Sequence, residues 1–172
     1  MGHIKTKVSA ADYVERGYGQ VEINHMAYLK TGQMYAQLPV ASGIDVLEQG
    51  QFAKYDYANG EVNLTGKGEW MLVFNEEKLY DPMESLSDYA MIRDNYMNGH
   101  MIPRLCKTNI GDIYTTNTVD ETTLKATDIL TVNTSTGFLE IGATTDPAPL
   151  FEVAKVTTMP DGQKAVKIRR IA

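Results

Sequence analysis

The chain has 172 residues, 43% of them hydrophobic, and a formal net charge of -6 at pH 7. Folded as one domain, it would bury roughly 70% of its unfolded surface, so it needs no metal, and its single cysteine cannot form an internal disulfide. The negative charge argues against a nucleic-acid partner, because phosphate binding requires a basic surface. No apolar run approaches the ~20 residues that span a bilayer, and the first residues lack the apolar stretch of a secretion signal, so we expect no membrane partner.

The first half of the chain begins with a stretch, 1–20, that has few core-forming side chains. We predict that it forms an irregular arm, with one helical turn at 10–16 before Gly17. From residue 20 apolar and polar residues alternate, which predicts strands at 20–24 and 33–38. Residues 44–57 then predict one long strand, or two strands that join at Gly50.

A hairpin is predicted at Asn59-Gly60, since both residues tolerate the positive φ that a type I′ turn requires. Residues 61–64 would return beside the preceding strand. The run 70–74 is apolar on every side, which predicts the most buried strand of the chain, with Trp70 and Phe74 on one face.

One helix is predicted, and it begins at Asp81-Pro82. Asp81 can accept hydrogen bonds from free amides of the first turn, and Pro82 suits the first helical position, where no amide hydrogen is needed. Apolar and long side chains follow at spacings of three and four residues as far as Arg93. A turn at Asn98-Gly99 lies beyond the helix.

The β pattern resumes after Pro103. It predicts a strand at 112–117, a hairpin of 129–133 with 138–141, and a second hairpin of 151–159 with 164–171. The second is the clearest hairpin of the chain, because a proline presets the turn at 160 and a glycine at 162 supplies its left-handed residue.

These elements predict a mainly β fold of antiparallel β-sandwich or barrel-like lobes, with one short helix and an irregular N-terminal arm. The predicted organisation is an arm (1–20), a β-rich lobe (21–80), a helical linker (81–102) and a C-terminal β-rich lobe (103–172).

Charge is unevenly distributed. Residues 45–94 hold eleven acids against four bases, whereas the last nine residues hold Lys164, Lys167, Arg169 and Arg170 and no acid. Two ordinary solvated surfaces would explain this distribution. Alternatively, opposite patches on identical subunits meet in an assembly.

We predict no catalytic, cofactor or metal site, and we expect that the chain is not an enzyme. Cys106 with His100 and Asp112 can be imagined as a nucleophile, base and orienting group, but a small buried thiol near a loop histidine is the simpler interpretation. The remaining histidines, His3 and His25, give no zinc-ligand spacing with Cys106. Two acidic stretches are better explained without an ion: Asp81, Glu84 and Asp88 as a solvated helix face, and 56–61 as a turn that lacks the alternating ligands of a calcium loop.

Two carbohydrate-related functions, glycoside hydrolysis and sugar binding, remain alternatives. Glu69 and Glu76-Glu77 are the candidates for paired carboxylates, and Trp70 and Tyr114 could line a platform for a sugar. An exposed aromatic such as Tyr55 or Tyr57 would be needed to hold the sugar. The ten tyrosines of the chain fit a protein interface equally well.

Three sequence segments in the second half of the chain resemble segments of small head proteins of tailed bacteriophages. They are GDIYTTN (111–117), DILTVN (128–133) followed by GFLE (137–140), and FEV (151–153) followed by TTMPDGQKAVKI (157–168). The last is similar to a TTLPDGQ-AVK ending of capsid decoration and auxiliary capsid proteins. The resemblance covers roughly 103–172, with a vaguer likeness at 44–82.

This resemblance implies a structural virion protein that binds the outside of the assembled phage capsid and stabilises the expanded shell. Its partner would be the major capsid protein, and it would be made in the host cytoplasm and be present as a homo-oligomer or in many copies on the shell. No cofactor or catalytic residue is implied. The segments that contact the capsid or a neighbouring subunit would be the N-terminal arm and the basic final strand. Their candidate contact residues are Lys5, Lys7, Lys164, Lys167, Arg169 and Arg170.

Two other functions stay open. One is another virion component, such as a head–tail connector, tail or fibre-base protein. The other is a carbohydrate- or receptor-binding β module. A decoration protein is expected to bind assembled shells and not isolated capsid subunits, which separates it from both.

Overall fold

A computed structural model describes residues 19–75, 90–142, 148–160 and 162–172. The predicted helix that begins at Asp81, the helical turn at 10–16 and all of the arm before residue 19 lie outside these ranges. Within them, no helix is long and apolar enough to cross a membrane.

The described residues form a mainly β structure whose sheets are all antiparallel, which confirms the predicted fold class. The one α-helix in these ranges is the single turn α1 (Tyr28–Thr31), which ends where Gly32 adopts φ 66°. The strands are β1 (Val21–His25), β2 (Met34–Tyr35), β3 (Val46–Glu48), β4 (Phe52–Asp56), β5 (Glu61–Asn63), β6 (Met71–Val73), β7 (Ala90–Ile92), β8 (Leu105–Cys106), β9 (Ile113–Thr116), β10 (Ile129–Val132), β11 (Leu139–Ile141), β12 (Phe151–Thr158) and β13 (Lys164–Arg170).

The strands of the described ranges form three sheets. Sheet I has the order β1-β9-β13-β12-β10-β11, sheet II has the order β2-β8-β6-β4-β5, and sheet III pairs β3 with β7. Two strands cross the lobe boundaries drawn from the sequence, since β1 joins the C-terminal strands in sheet I and β8 joins the N-terminal strands in sheet II. Backbone hydrogen bonds therefore link the two halves of the chain within both large sheets.

The described part of the predicted helical linker, 90–102, is not helical throughout. It begins with β7 and continues with two short 3-10 turns, Arg93–Asn95 and Met97–Gly99. Ala90 and Arg93, which the spacing assigned to the helix, therefore lie in a strand and in a 3-10 turn. Residues 90–92 form a strand instead of a helix because β7 pairs with β3 and buries Met91.

The central strand β6 of sheet II is buried on both faces, and its successive residues face two different cores. Along β6, Leu72 packs in core 1, which lies between sheets I and II, whereas Met71 and Val73 pack in core 2 on the opposite face. Side chains alternate along a strand, so a strand covered on both sides must be apolar at every position. This explains the apolar run 70–74 and confirms that Trp70 and Phe74 share one face, the face of core 1.

Three aromatic rings join the two large sheets at the centre of core 1. Phe52 of sheet II lies 5.6 Å from Phe151 of sheet I, measured between ring centroids, and Phe151 lies 5.9 Å from Tyr114. All three side chains are fully buried. Such pairs add about 0.5–1.5 kcal/mol each beyond the burial of their apolar surface.

The stretch 44–57 forms two strands that join at Gly50, the second of the two predicted alternatives. Gly50 adopts φ 82°, and a Cβ at this position would lie 2.5 Å from Oγ1 of Thr118. The neighbouring Gln49 is buried and satisfies its polar groups: its carbonyl accepts a hydrogen bond from Thr118 Oγ1 at 2.6 Å, and its side chain bonds both backbone groups of Asn75. The buried side-chain amide and the carbonyl of Gln49 therefore each have a hydrogen-bond partner.

The turn between β4 and β5 is a hairpin, as predicted, but it is not a type I′ turn. Gly60 adopts φ 70°, whereas Asn59 does not have a positive φ. Asp56 pairs with Glu61, so the loop spans 57–60 instead of two residues. The Asp56 carboxylate accepts hydrogen bonds from the amides of Ala58 and Asn59, at 3.1 and 3.3 Å, and thereby stabilises the wider loop.

The later hairpins agree with the prediction. β10 pairs with β11 and β12 pairs with β13, and Asn98-Gly99 forms a turn with both residues at positive φ. The strand predicted at 33–38 is shorter and ends at Tyr35. Beyond that residue the chain leaves β8, since the amide of Gln37 donates to the hydroxyl of Tyr55 at 3.0 Å.

Candidate interaction surface

The basic final strand, β13, lies in the middle of sheet I between β9 and β12. Its residues Val166 and Ile168 pack in core 1. Because side chains alternate along a strand, Lys167 and Arg169 project from the opposite side of the sheet. Two of the predicted contact residues therefore share one face.

We call this side the outer face of sheet I and define it by two rows of cross-strand partners. Lys155 and Arg169 are exposed on it, and Lys167 is partly exposed. The first row is Glu22, Thr115, Lys167 and Lys155, and the second row is Ile113, Arg169 and Glu152.

Lys155 and Lys167 lie directly opposite each other on β12 and β13. Directly opposed side chains have Cβ atoms about 4.5–5.5 Å apart, and like charges at such positions are destabilising. Ion pairs in the described ranges leave both lysines unneutralised, since the three ion pairs found there involve other residues. The centre of the outer face therefore carries two neighbouring lysines without an ion pair.

Arg169 is already neutralised. Its Nη2 lies 2.6 Å from Oε2 of Glu152, its partner across β12, and the two side chains are 53% and 30% exposed. An exposed pair of this kind contributes about 0–1 kcal/mol. Arg169 is therefore a weaker candidate for an external partner than the two lysines.

Arg170 does not belong to the outer face. Its Nη1 donates to the carbonyl of Thr108 and, at 2.9 Å, to the hydroxyl of the same residue. Burial lowers the pKa of the Arg170 guanidinium, against the opposing effects of Glu69 and Asp112. The side chain holds the end of β13 against the segment before β9 and is not free to contact a shell.

The remaining predicted contact residues lie apart. Lys164 is exposed at the start of β13. Lys5 and Lys7 lie outside the described residues.

The three residues considered for nucleophilic chemistry lie in different environments. Cys106 is fully buried in core 1, whereas His100 is exposed. The buried carboxylate of Asp112 accepts hydrogen bonds from the amides of Ala27 and Asn109, at 2.8 and 2.7 Å. Asp112 therefore orders the backbone at the start of β9 instead of orienting a histidine.

No group of three or more histidine, cysteine or acidic residues in the described ranges could hold a metal ion. The loop at 56–61 is stabilised by its own hydrogen bonds. Donors on the side chains of Asn59 and Asn63 lower the pKa of the Asp56 carboxyl below its usual value. Asp81, Glu84 and Asp88, and also His3, lie outside the described residues.

Most aromatic residues considered for a sugar platform are inside the protein. Trp70, Tyr114 and Tyr55 are buried, so the expectation that Tyr55 is exposed was wrong, whereas Tyr57 is 74% exposed. Tyr55 belongs to β4 and packs in core 2, while Tyr57 follows the end of that strand.

The acids considered for glycoside chemistry give no pair in the described structure. Glu69 lies 2.7 Å from Nζ of Lys107, and this contact raises the pKa of the Lys107 ammonium. Glu76-Glu77 lie outside the described residues.

Lys155 is the residue of the outer face that sequence reasoning missed. The signal was present, because the predicted hairpin around Pro160 already places residue 155 opposite residue 167 when the register is counted back from the turn. Charges counted in consecutive stretches of the chain do not pair Lys155 with Lys167, since Lys155 lies outside the basic final strand.

Comparison of the chain with protein-family models, with curated proteins and with solved structures finds no match.

We expect the substitution Lys155→Glu to increase the free energy of unfolding by up to about 1 kcal/mol, because it replaces a cross-strand repulsion with an attraction to Lys167. Urea denaturation checks this, with Lys125→Glu as a control that makes the same charge change at an exposed position. Equal effects of the two substitutions would show that the lysines do not repel each other.

Proposed function

We propose that this chain is a structural virion protein of a tailed bacteriophage, which binds the outside of the assembled capsid and stabilises the expanded shell. One observation carries the proposal. The three segments that resemble phage head proteins contribute residues to each of β9 to β13, which are five of the six strands of sheet I in the described ranges. The resembling segments thus form one contiguous unit instead of being scattered over the fold.

The outer face of this sheet supplies a physical reason for binding. Lysines 155 and 167 lie opposite each other without an ion pair, so a partner that places carboxylates between them gains attraction from both ammonium groups. We infer that an acidic surface of the major capsid protein occupies this position. The net negative charge of the chain opposes such contacts elsewhere on its surface.

Stabilisation of the shell follows from linkage. A protein that binds the expanded shell, and not the unexpanded shell or the isolated subunit, shifts the equilibrium toward the expanded form. Each copy adds its own contribution, so many weakly bound copies have a large summed effect.

The first experiment measures the copy number of the chain in purified particles relative to the major capsid protein. A ratio near a simple fraction of the shell subunits is the expected result. A handful of copies per particle would instead indicate a head–tail connector, tail or fibre-base protein. Absence from particles would overturn the proposal.

The double substitution Lys155→Glu and Lys167→Glu is expected to weaken binding to expanded shells at least tenfold, which corresponds to about 1.4 kcal/mol. Cosedimentation of the protein with expanded shells measures this. The matched control is Lys30→Glu with Lys125→Glu, which makes the same charge change at two exposed positions outside the two rows that define the outer face.

The effect of salt gives a second readout, because binding of the unsubstituted protein should weaken as ionic strength rises. Equal binding by the double variant and its control would show that the outer face of sheet I does not contact the shell.

A further inference from the structure

A groove of about 520 Å³ lies at the β4–β5 edge of sheet II, away from the outer face of sheet I. One wall is the loop 55–59 and the other is the turn 65–68. We call it the hairpin groove. Its lining combines an exposed aromatic ring with the polar side chains of Asp56, Asn59, Thr65 and Lys67.

Both walls of the hairpin groove are held by side-chain hydrogen bonds. Oδ2 of Asp56 accepts from the side-chain amides of Asn59 and Asn63, at 2.9 and 3.1 Å. Oδ1 of Asn63 in turn accepts from the backbone amides of Thr65 and Gly66, at 3.1 and 2.6 Å. Because Asn63 bonds to both walls, their separation is set before any ligand binds, and binding costs less ordering entropy.

Two glycines form the base of the turn wall and keep it free of side chains. A Cβ on Gly68 would lie 2.6 Å from the carbonyl oxygen of Tyr55, and one on Gly66 would lie 3.1 Å from Cβ of Asp56. The backbone of the turn can therefore approach β4 this closely at residue 68 only with glycine there, and a Cβ at residue 66 would make tight contacts.

Tyr57 is the feature that points to a ligand. Its side chain is 74% exposed, yet its ring is supported, because it meets the ring of Tyr55 edge-on with centroids 5.6 Å apart and planes at 85°. Tyr55 is itself buried, and its hydroxyl accepts the hydrogen bond from Gln37. An exposed aromatic ring therefore lies against a buried one, which supports it on one side and leaves most of it accessible.

The chemistry of the lining limits the class of ligand. The face of an aromatic ring carries partial negative charge and attracts the polarised C–H groups of a sugar ring. Lys67 and the tyrosine hydroxyl can donate hydrogen bonds, and Asn59 adds an amide. Asp56 and Lys67 carry charges of opposite sign. The net charge of the lining is therefore about zero, and the groove favours a neutral ligand over an ionic one.

We propose that the hairpin groove binds a neutral saccharide, with one pyranose ring stacked on Tyr57. This proposal does not depend on the proposed capsid role. A protein bound to a shell through the outer face of sheet I would keep this edge of sheet II available, so the two proposals can fail separately.

The test titrates the full chain with methyl α-glucoside, methyl β-galactoside and N-acetylglucosamine, and with glucuronate as an anionic comparison. The ring resonances of Tyr57 are followed by NMR. We expect at least one neutral saccharide to bind with a dissociation constant on the order of 1 mM and to shift these resonances more than glucuronate does. No shift with any of the three neutral sugars, or stronger binding of glucuronate, would overturn the proposal.

Three variants make the result specific. Tyr57→Ala should weaken saccharide binding at least tenfold, whereas Tyr57→Phe, which keeps the ring, should retain most of it. Met97→Ala removes another exposed apolar side chain, 89% exposed, and should leave binding unchanged. Since Tyr57 is exposed, its variants should fold, and circular dichroism checks this. Binding by Tyr57→Ala equal to that of the unsubstituted chain would exclude stacking on this ring.

Discussion

Replacing Phe151 by alanine is expected to lower the free energy of unfolding by about 3–5 kcal/mol. The side chain is fully buried at the centre of core 1 and contacts the rings of both Phe52 and Tyr114. Its removal takes away apolar burial, leaves a cavity between sheets I and II, and breaks two ring contacts at once. The loss is a large fraction of the stability of an ordinary domain. Urea or guanidinium denaturation, followed by tryptophan fluorescence, measures the change.

The matched control lies on the same strand. Val156 of β12 is 43% exposed, so Val156→Ala removes methyl groups without opening a cavity. Its effect should stay below about 1 kcal/mol. A loss for Phe151→Ala as small as this control would mean that the two sheets do not pack through this ring. Phe151→Leu should fall between the two, because it fills part of the cavity.

The substitution Gly137→Ala is expected to destabilise the protein by about 1–3 kcal/mol more than Gly60→Ala. Both glycines have nearly the same positive φ, 72° and 70°, so an alanine would pay a similar cost for a positive φ at both positions. They differ in their surroundings. A Cβ on Gly137 would overlap the carbonyl oxygen of Phe52, whereas a Cβ on Gly60 meets nothing within 4 Å.

The contact at Gly137 matters because it joins the β10–β11 hairpin of sheet I to β4 of sheet II. The amide of Phe52 donates to the carbonyl of Gly137 at 2.7 Å, so the two backbones touch directly. Thermal unfolding of both variants measures the difference. If their midpoints fall together relative to the unsubstituted protein, the close approach at residue 137 does not contribute to stability.

Local patterns in the sequence determined most of the secondary structure. The Pro160 hairpin and the hairpin of β10 with β11 depend on turn residues whose backbone preferences are intrinsic, whereas the pattern of 44–57 left one strand or two strands as alternatives. The apolar run 70–74 likewise required a strand with both faces covered. These features are properties of a few consecutive residues, so they can be predicted without knowing the rest of the fold.

The structure alone decided how distant segments pair. β1 belongs with the last strands of the chain and β8 with the first, because ladder bonds and two shared cores favour these pairings, and alternation within one strand does not specify its neighbour. Residues 90–92 show the same dependence on distant segments. Their spacing predicted a helix, but pairing with β3 makes them a strand.

For the candidate surfaces too, the sequence determined some features and the tertiary structure decided others. The sequence by itself determined that the end of the chain is basic and that the chain is rich in tyrosine. The tertiary structure decided that Arg170 turns inward to Thr108, that Lys155 opposes Lys167, and that Tyr57 is exposed where Tyr55 is buried. The reason is physical: a residue type sets what a side chain can bind, but its cross-strand neighbours and the end of its strand set whether a partner can reach it.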